Sequence, residues 1–238
     1  MTSYPDQPGA TGRPTVTIVL TVFNDGRYVD ESLGSAVDLQ RESRDIADVS
    51  VVIVDDGSTE RRTVDVLDRC ERRGVSVARE SHRGLGATRN AALRRLRTDW
   101  FIPLDADNTL RSSLLRELLP RAEDPETALV YGDAMRFGSD SGRWQMGPTD
   151  VVRLWEVNHI DSCGLIRRDA WEQVGGYAEN CPGFEDWDLW LRFLEAGLQL
   201  AYVRQIVFDY RVRSDSLIHQ RTVARQRTPL VRRGLATR

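Results

Sequence analysis

The chain contains no lysine, so all 33 of its basic residues are arginine; 36 acidic residues nearly balance them, for a formal net charge of -3. This balance argues against bulk nucleic-acid binding, which needs a marked basic excess. Arginine suits bidentate contacts to carboxylate or phosphate, but genome base composition also favours arginine codons, so the bias indicates no function.

Cysteine and long apolar runs are also scarce. The three cysteines, Cys70, Cys163 and Cys181, show no Cys-x-x-Cys spacing, so we expect reduced thiols and neither a disulfide framework nor a zinc site. The longest apolar run, Val16 to Phe23, is far short of the roughly 18 residues that a membrane span needs, and no signal peptide is recognisable. These absences predict a cytoplasmic protein.

Length and composition predict one large α/β domain, because 238 residues with 40% hydrophobic content can bury a substantial core. Residues 1–13 are rich in Pro, Gly, Thr and Ser, and we expect a flexible leader. Residues 14–218 are assigned to the domain, and 219–238 to a basic tail. The tail has three open interpretations: a solvated end, a cover for the active site, or a peripheral contact with anionic lipid at the inner face of the membrane.

The first half alternates between two periodicities. Buried strands are predicted at 16–22, 50–54, 75–78 and 100–104, and helices around 29–40, 64–70 and 84–96. In the first helix the inward stripe is Val29, Leu33, Ala36, Val37 and Gln40. This alternation is typical of a Rossmann-like, doubly wound and mostly parallel sheet.

The second half is less regular. The pattern predicts a helix at 111–119, strands at 128–131, 134–137 and 164–167, a polar loop at 138–148 and a short helix at 169–174. A clearer helix carries an apolar stripe and ends near Gly197; the stripe is Trp187, Trp190, Leu191, Leu194 and Leu198.

Acidic residues follow two of the predicted strands, where ligands bind in open parallel sheets. Asp55 and Asp56 begin a turn that fits either helix capping or hydrogen bonding to a nucleobase or ribose. Asp105 and Asp107 lie two residues apart on an extended segment, so both carboxylates can approach one hard divalent cation. The second pair also fits a helix cap.

A third acidic cluster begins the clearest helix. Glu185, Asp186 and Asp188 stand in its first turn, where the helix dipole alone stabilises one or two acids. A third acid leaves room for Asp186 as a general base. The segment 83–90 has glycines at a helix start but no dinucleotide or P-loop pattern. Trp144, Trp155 and Trp171 each have a ring that can stack on a sugar, although packing in the core or on the surface is the favoured role for each.

Taken in order, these motifs resemble the family 2 glycosyltransferases, which have the GT-A fold. The resemblance covers Pro14 to Ile218. It rests on Thr17–Asn24, Val54–Ser58, Gly86–Ala92, Asp105–Asp107, Val174–Tyr177 and Glu185–Arg192. It implies an inverting transfer of one sugar from a nucleotide-diphospho-sugar to an acceptor hydroxyl, with residues 14–110 binding the donor and 111–218 binding the acceptor and carrying catalysis.

The resemblance also implies roles for single residues. The donor site would comprise Thr21, Phe23, Asn24, Asp56, Arg89, Asp105 and Ala106. Asp107, with His219 as a weaker candidate, would hold Mn²⁺ or Mg²⁺, which assists the leaving diphosphate. Asp186 would be the base, with Glu185 beside it. The segment 211–217 resembles the family's terminal lid.

Departures from the family pattern leave alternatives open. Thr21 replaces a frequent Pro and Phe23 a frequent Tyr, so UDP is only the default nucleotide. One alternative is a catalytically degenerate nucleotide-sugar-binding module. A sugar-1-phosphate nucleotidyltransferase is disfavoured, because a Gly-rich basic loop is missing after the first strand. The acceptor, whether a small natural product, a lipid-linked sugar or a glycan, is not readable from the motifs.

Overall fold

The computed structural model describes residues 12–181 and 183–213. Its strands are β1 Thr15–Val22, β2 Asp48–Asp55, β3 Ser76–Arg79, β4 Trp100–Asp105, β5 Thr109–Leu110, β6 Thr127–Gly138, β7 Gly142–Trp144, β8 Leu165–Arg167 and β9 Gln199–Val212. Its helices are α1 Gly26–Glu42, α2 Arg61–Arg72, α3 Leu85–Leu93, α4 Leu114–Leu118, α5 Val151–Glu156, α6 Arg168–Gln173 and α7 Glu185–Glu195, with a 3₁₀ turn at Leu119–Arg121.

All nine strands form one sheet, with the order β3-β2-β1-β4-β8-β6-β9-β5 and with β7 paired to β6. The first four strands are parallel, as predicted for a doubly wound sheet. Strand β8 enters antiparallel to both of its neighbours, while β6 and β9 are parallel to each other. The first half is therefore Rossmann-like, and β8 joins it to a mixed second half.

The strand order creates a switch point between β1 and β4. The chain runs outward from β1 through β2 to β3, then returns to place β4 on the other side of β1. In such sheets a crevice opens at the carboxyl ends of the two strands that flank the reversal. Thr21 of β1 lies in register with Asp105 of β4. The topology thus places the first and second acidic clusters at one edge.

Helix α1 corrects the predicted apolar stripe. Val37 was expected to face inward, but it is 44% exposed, while Leu39 and Ser32 are buried. Ser32 is inward because its hydroxyl donates to the carbonyl oxygens of Ala106 and Asn108, at 2.5 and 2.7 Å. A polar residue therefore occupies part of the buried stripe, since it satisfies backbone groups of the turn after β4.

Strand β6 corrects a second expectation, because the predicted strands 128–131 and 134–137 are one. Gly132 and Asp133 have the composition of a turn but continue the strand with register shifts. Asp133 is fully buried, and its carboxylate accepts hydrogen bonds from Arg143, Tyr202 and the Met146 backbone. Long-range pairing of Asp133 therefore overrides the local turn preference.

Other differences lie at short or uncovered elements. The predicted helix 111–119 is shorter, α4 plus a 3₁₀ turn, and the predicted loop 138–148 contains β7. Elements α5, β5 and β9 had no counterpart in the sequence predictions. Gly197, at φ +79°, ends α7 as predicted. The three cysteines, Cys70, Cys163 and Cys181, are all buried.

Within the described residues, none of the helices combines the length and apolarity needed to traverse a bilayer.

Replacing Asp133 with alanine should destabilise the second half of the sheet. The change removes a fully buried acceptor from three donors, Arg143, Tyr202 and the Met146 backbone, so we expect the free energy of unfolding to fall by about 3 kcal/mol. Urea denaturation followed by tryptophan fluorescence measures this. The matched control is Asp140→Ala, since Asp140 makes a half-exposed ion pair with Arg136 and should change stability by less than about 1 kcal/mol. Equal effects of the two changes would contradict the assignment.

Candidate active site

The crevice between β1 and β4 is lined by polar groups that the fold leaves available. Thr21, at the end of β1, is 6% exposed, and its Oγ1 has no hydrogen-bond partner among the described residues. Its register neighbour Asp105 is one-third exposed, with one oxygen held by Arg89. Buried polar atoms are almost always paired, so the lone hydroxyl points to a ligand that completes the crevice.

An aromatic pair stands at the mouth of this crevice. The rings of Phe23 and His82 stack with centroids 4.0 Å apart and planes 14° from parallel. Phe23 is 42% exposed, so one face of the pair borders solvent. A planar nucleobase is the kind of group that such a ring pair can stack against.

Asp56 does not point into the crevice as a free acceptor. It is buried, and its carboxylate accepts from Thr88 Oγ1 at 2.5 Å and from the backbone nitrogens of Arg83 and Gly84 at 2.9 and 3.1 Å. Its other contact is His82 Nδ1 at 2.9 Å. The carboxylate therefore organises the loop before α3 and orients His82. Nucleotide contact by Asp56 stays a prediction.

Asn24 has a similar organising position. It adopts φ +52°, and its side-chain oxygen accepts from the backbone nitrogens of Thr59 and Glu60, both at 2.9 Å. Its own backbone nitrogen donates to Ser58 Oγ. Asn24 thereby fixes the loop after β1 against the loop after β2, next to Phe23.

Helix α3 connects the two halves of the molecule through three consecutive residues. Thr88 donates to Asp56, Arg89 Nη2 lies 2.6 Å from Asp105, and Asn90 exchanges hydrogen bonds with the Tyr177 backbone. The guanidinium of Arg89 is 1% exposed, and its Nη1 lies 3.8 Å from Glu185. One buried cation thus faces carboxylates from β4 and from α7.

The turn from Asp105 to Asn108 is held by hydrogen bonds from α1 and from the end of β9. Ser32 holds its carbonyl groups, including that of the buried Ala106. Arg211, near the end of β9, donates from Nε to the Asp107 carbonyl and from its backbone nitrogen to Asn108 Oδ1, both at 3.0 Å. Arg213 Nη1 lies 3.0 Å from Asp107 Oδ2. The Asp-x-Asp turn is therefore fixed in shape before any ligand binds.

The surroundings of Asp107 suit a cation. Arg213 Nη1 also lies 2.9 Å from Asp25 Oδ2, so one guanidinium nitrogen bridges two carboxylates. Burial and the nearby Asp105 raise the pKa of Asp107 to about 6, although Arg213 opposes the shift. No group of three or more His, Cys, Asp or Glu residues in 12–181 and 183–213 is arranged to hold a metal. The oxygen donors that are present, the carboxylates of Asp105 and Asp107, are of the type that hard divalent cations prefer.

Asp186 and Asn158 form the second half of the site. Asp186 is partly exposed at the start of α7, with one oxygen 2.7 Å from its neighbouring Trp187 nitrogen and the other accepting from Asn158 Nδ2 at 3.1 Å. Burial of most of the carboxylate and the adjacent Glu185 raise the pKa of Asp186 to about 8. Such a carboxylate is poised to exchange a proton near neutral pH.

Glu185 is turned away from solvent. It is 4% exposed, its Oε2 accepts from the Gly183 nitrogen at 2.6 Å, and its Oε1 faces Arg89. The geometry supports a positioning role for Glu185, in which it holds the loop before α7 and pairs with the buried cation.

The sequence reasoning missed Asn158, Asp161, His82 and Arg213. Asp161 is a further buried carboxylate near Asp105 and Arg89, and burial raises its pKa to about 7. It follows α5 in an irregular segment that has no periodicity, so no local signal marked it. Conversely, His219 and positions 214–217 of the expected lid lie outside the described residues, and only Arg211 to Arg213 of that segment are placed.

A family model described as glycosyl transferase family 2 matches residues 17–177, which is more than half of the chain. The chain belongs to this family. The chain is 31% identical to the succinoglycan biosynthesis protein ExoO of Rhizobium meliloti over 187 residues, which are 76% of the chain and 49% of ExoO. It is 24% identical over 193 residues to the chondroitin synthase of Escherichia coli, covering 77% of the chain and 27% of that enzyme.

Solved structures of glycosyltransferases share the fold of this family 2 chain, confirming the predicted GT-A architecture. A mannosyltransferase from Pyrobaculum calidifontis, solved with GDP-Man and Mn²⁺, matches with a TM-score of 0.71 at 19% identity, over 95% of this chain and 66% of its own. Staphylococcus aureus TarS with UDP-GlcNAc matches at 0.69 and 14% identity, over 92% and 64%. The chain thus spans half or less of the two curated relatives named and about two thirds of these structures.

Replacing Arg89 with methionine should destabilise this family 2 domain markedly. The change leaves Asp105 and Glu185 without their shared buried cation, and we expect unfolding free energy to fall by about 3 kcal/mol. The control is Arg95→Met in the turn that follows α3, where the side chain is half exposed and pairs with Glu80; we expect a loss of less than about 1 kcal/mol. Urea unfolding of both variants compares them. A stability loss for Arg89→Met no larger than that of the control would show that α3 does not depend on this pair.

Proposed function

We propose that the chain transfers one sugar from a nucleotide-diphospho-sugar to an acceptor hydroxyl, with inversion at the anomeric carbon. The single observation that carries the proposal is the partly exposed Asp186 carboxylate with its raised pKa, hydrogen-bonded to Asn158. Through Glu185 and Arg89 it is connected to Asp105 at the switch-point crevice. Family membership supports the same reaction class.

We assign the donor to the crevice between β1 and β4. The stacked Phe23 and His82 rings supply a platform for the base, and the unpartnered Thr21 hydroxyl and the exposed oxygen of Asp105 supply polar contacts for the ribose. We also assign Arg89 and Ala106 to the donor site, on the basis of the family resemblance. UDP is the favoured nucleotide on family resemblance; TarS was solved with UDP-GlcNAc and the archaeal mannosyltransferase with GDP-Man.

Asp107 is the residue that we assign to a divalent cation, Mn²⁺ or Mg²⁺, with His219 a further candidate outside the described residues. The cation, when bound, would neutralise charge on the departing diphosphate. Arg213 donates to the same Asp107 carboxylate, so it would compete with a cation for that oxygen.

Asp186 is assigned the role of general base. As a carboxylate it accepts the proton of the acceptor hydroxyl while that oxygen attacks the anomeric carbon from the side opposite the diphosphate. Asn158 donates to Oδ2 and so favours the ionised form. Glu185 and Arg89 act through position: the first holds the loop at Gly183, and the second balances the carboxylates around it.

Asp186→Asn should retain nucleotide affinity and lose turnover by about a thousandfold, because the amide cannot take the proton. Turnover is measured as nucleotide release from a panel of UDP- and GDP-sugars, with water serving as the acceptor when no other is supplied. Calorimetry measures nucleotide affinity. Asp169→Asn, at a fully exposed carboxylate, is the control. Unchanged turnover in Asp186→Asn would remove the base assignment.

The same assignment fixes the direction of the pH dependence. The active form is the carboxylate and its pKa is about 8, so turnover should fall as the pH drops from about 9 to about 6.5. Asn158→Ala removes a donor to the charged form and should move this limb to higher pH by roughly one unit. The exposed Asn180→Ala is the control. A limb that does not move in Asn158→Ala would mean that another group titrates.

Asp107→Asn should weaken nucleotide binding roughly ten- to a hundredfold in Mn²⁺ and little in chelator, because the loss acts through the cation. Titrations with UDP, GDP and dTDP, each with Mn²⁺ and with chelator, measure this and identify the base. Arg213→Met should tighten the binding of Mn²⁺ alone, since a competing cation is removed. An equal loss for Asp107→Asn in chelator would make Asp107 structural.

A further inference from the structure

Water-exposed apolar side chains are concentrated on one short segment beside the candidate base. Six large apolar residues are strongly exposed in the described part of the chain, and four of them fall within seven consecutive positions. These four, which we name the valine–tryptophan patch, are Val151 at 47%, Val152 at 73%, Trp155 at 42% and Val157 at 48% exposure.

The patch is presented by a well-fixed helix. The Asp150 carboxylate caps α5 by accepting from the Arg153 nitrogen at 3.0 Å. Leu154 is fully buried, and its carbonyl accepts from Trp187 Nε1 at 2.6 Å. Positions 151, 152 and 155 share a helix face because they follow i, i+1 and i+4 spacing. The fold therefore anchors α5 on one side and exposes its apolar side.

The patch is continuous with the catalytic half of the site. Val157 directly precedes Asn158, whose amide donates to Asp186. Trp187, which follows Asp186, is the residue that anchors α5. The patch is therefore joined to the candidate base through Asn158 on one side and through Trp187 on the other.

We propose that the valine–tryptophan patch docks on the surface of an anionic lipid bilayer. Tryptophan with neighbouring aliphatic residues is the composition that favours the membrane interface. The sequence adds the charge: Ser216 to Arg238 carries six arginines and no acid. This basic segment follows the last described residue, Arg213, in the sequence.

A bilayer fits the size of the patch better than a protein partner does. Four side chains, each about half exposed, present on the order of a few hundred Å². A stable protein interface buries about 800 Å² on each partner. Shallow insertion of a few apolar side chains, assisted by basic residues, needs no such area.

If the patch lies on a bilayer, the class of the acceptor can be inferred; this step rests on the proposed function. With the patch on the bilayer, Asp186 faces the boundary between lipid and water. The acceptor hydroxyl is then one carried by a lipid anchored in that membrane. Bilayer docking itself does not depend on catalysis and is tested separately.

The test is co-sedimentation of the full chain with vesicles of equal parts phosphatidylcholine and phosphatidylglycerol. Val152→Asp and Trp155→Glu should each lower the partition coefficient of the protein between vesicles and buffer by roughly tenfold, because a charge replaces an inserting apolar group. Val37→Asp, at a valine on α1 that is 44% exposed and lies outside the patch, should leave the partition coefficient unchanged. Vesicles of brominated phosphatidylcholine with phosphatidylglycerol should quench tryptophan fluorescence, and Trp155→Phe should remove most of that quenching.

Three results would overturn the proposal. Wild-type protein that stays with the supernatant has no bilayer affinity. Binding that high salt abolishes and that Val152→Asp and Trp155→Glu do not weaken would come from the arginines alone. A dimer by sedimentation velocity that Val152→Asp dissociates would make the patch a contact between copies. Loss of transfer in Asp186→Asn with intact vesicle binding separates this proposal from the catalytic one.

Discussion

The site depends on one buried cation. Arg89 is 1% exposed, and it compensates carboxylates that belong to different halves of the chain, Asp105 from β4 and Glu185 from α7. A buried charge is tolerated only when partners surround it, so the two halves have to meet at this point. The neighbouring Thr88 and Asn90 add contacts to the loop after β2 and to the Tyr177 backbone. Helix α3 is thus the element that ties the two halves of the chain together at the candidate site.

The same arrangement leaves an excess of negative charge. Asp107, Asp161 and Asp186 all have raised pKa values, each with burial as the largest cause and another nearby carboxylate contributing. Arg213 pairs with Asp107, and the nearby charge of Arg89 opposes the rise in the pKa of Asp161 and of Asp186. A site of this kind has capacity for added positive charge, which is the electrostatic condition for binding a divalent ion together with a diphosphate.

The sequence predicted what depends on local periodicity and on family motifs. The parallel β3-β2-β1-β4 half, the end of α7 at Gly197 and the GT-A fold were all readable. It misplaced residues whose position is set by distant partners: Asp133 continues β6 because Arg143 and Tyr202 reach it, and Ser32 is buried because it holds the turn after β4. Asn158 and Asp161 lie in an irregular segment, where no periodicity indicates which side chains converge on Asp186.

The motif residues divide by what their side chains already contact. Asp56 and Asn24 are satisfied by the chain itself, whereas Thr21 Oγ1 and the Arg89 Nε lack partners among the described residues. A polar atom already saturated gains little by contacting a ligand, because a bond has to be broken for each one formed. The unsatisfied groups are therefore the ones that gain most from a ligand, while Asp56 and Asn24 organise the loops that carry His82 and Phe23. A motif residue such as Asp56 or Asn24 can thus act by positioning its neighbours, and need not itself contact the ligand.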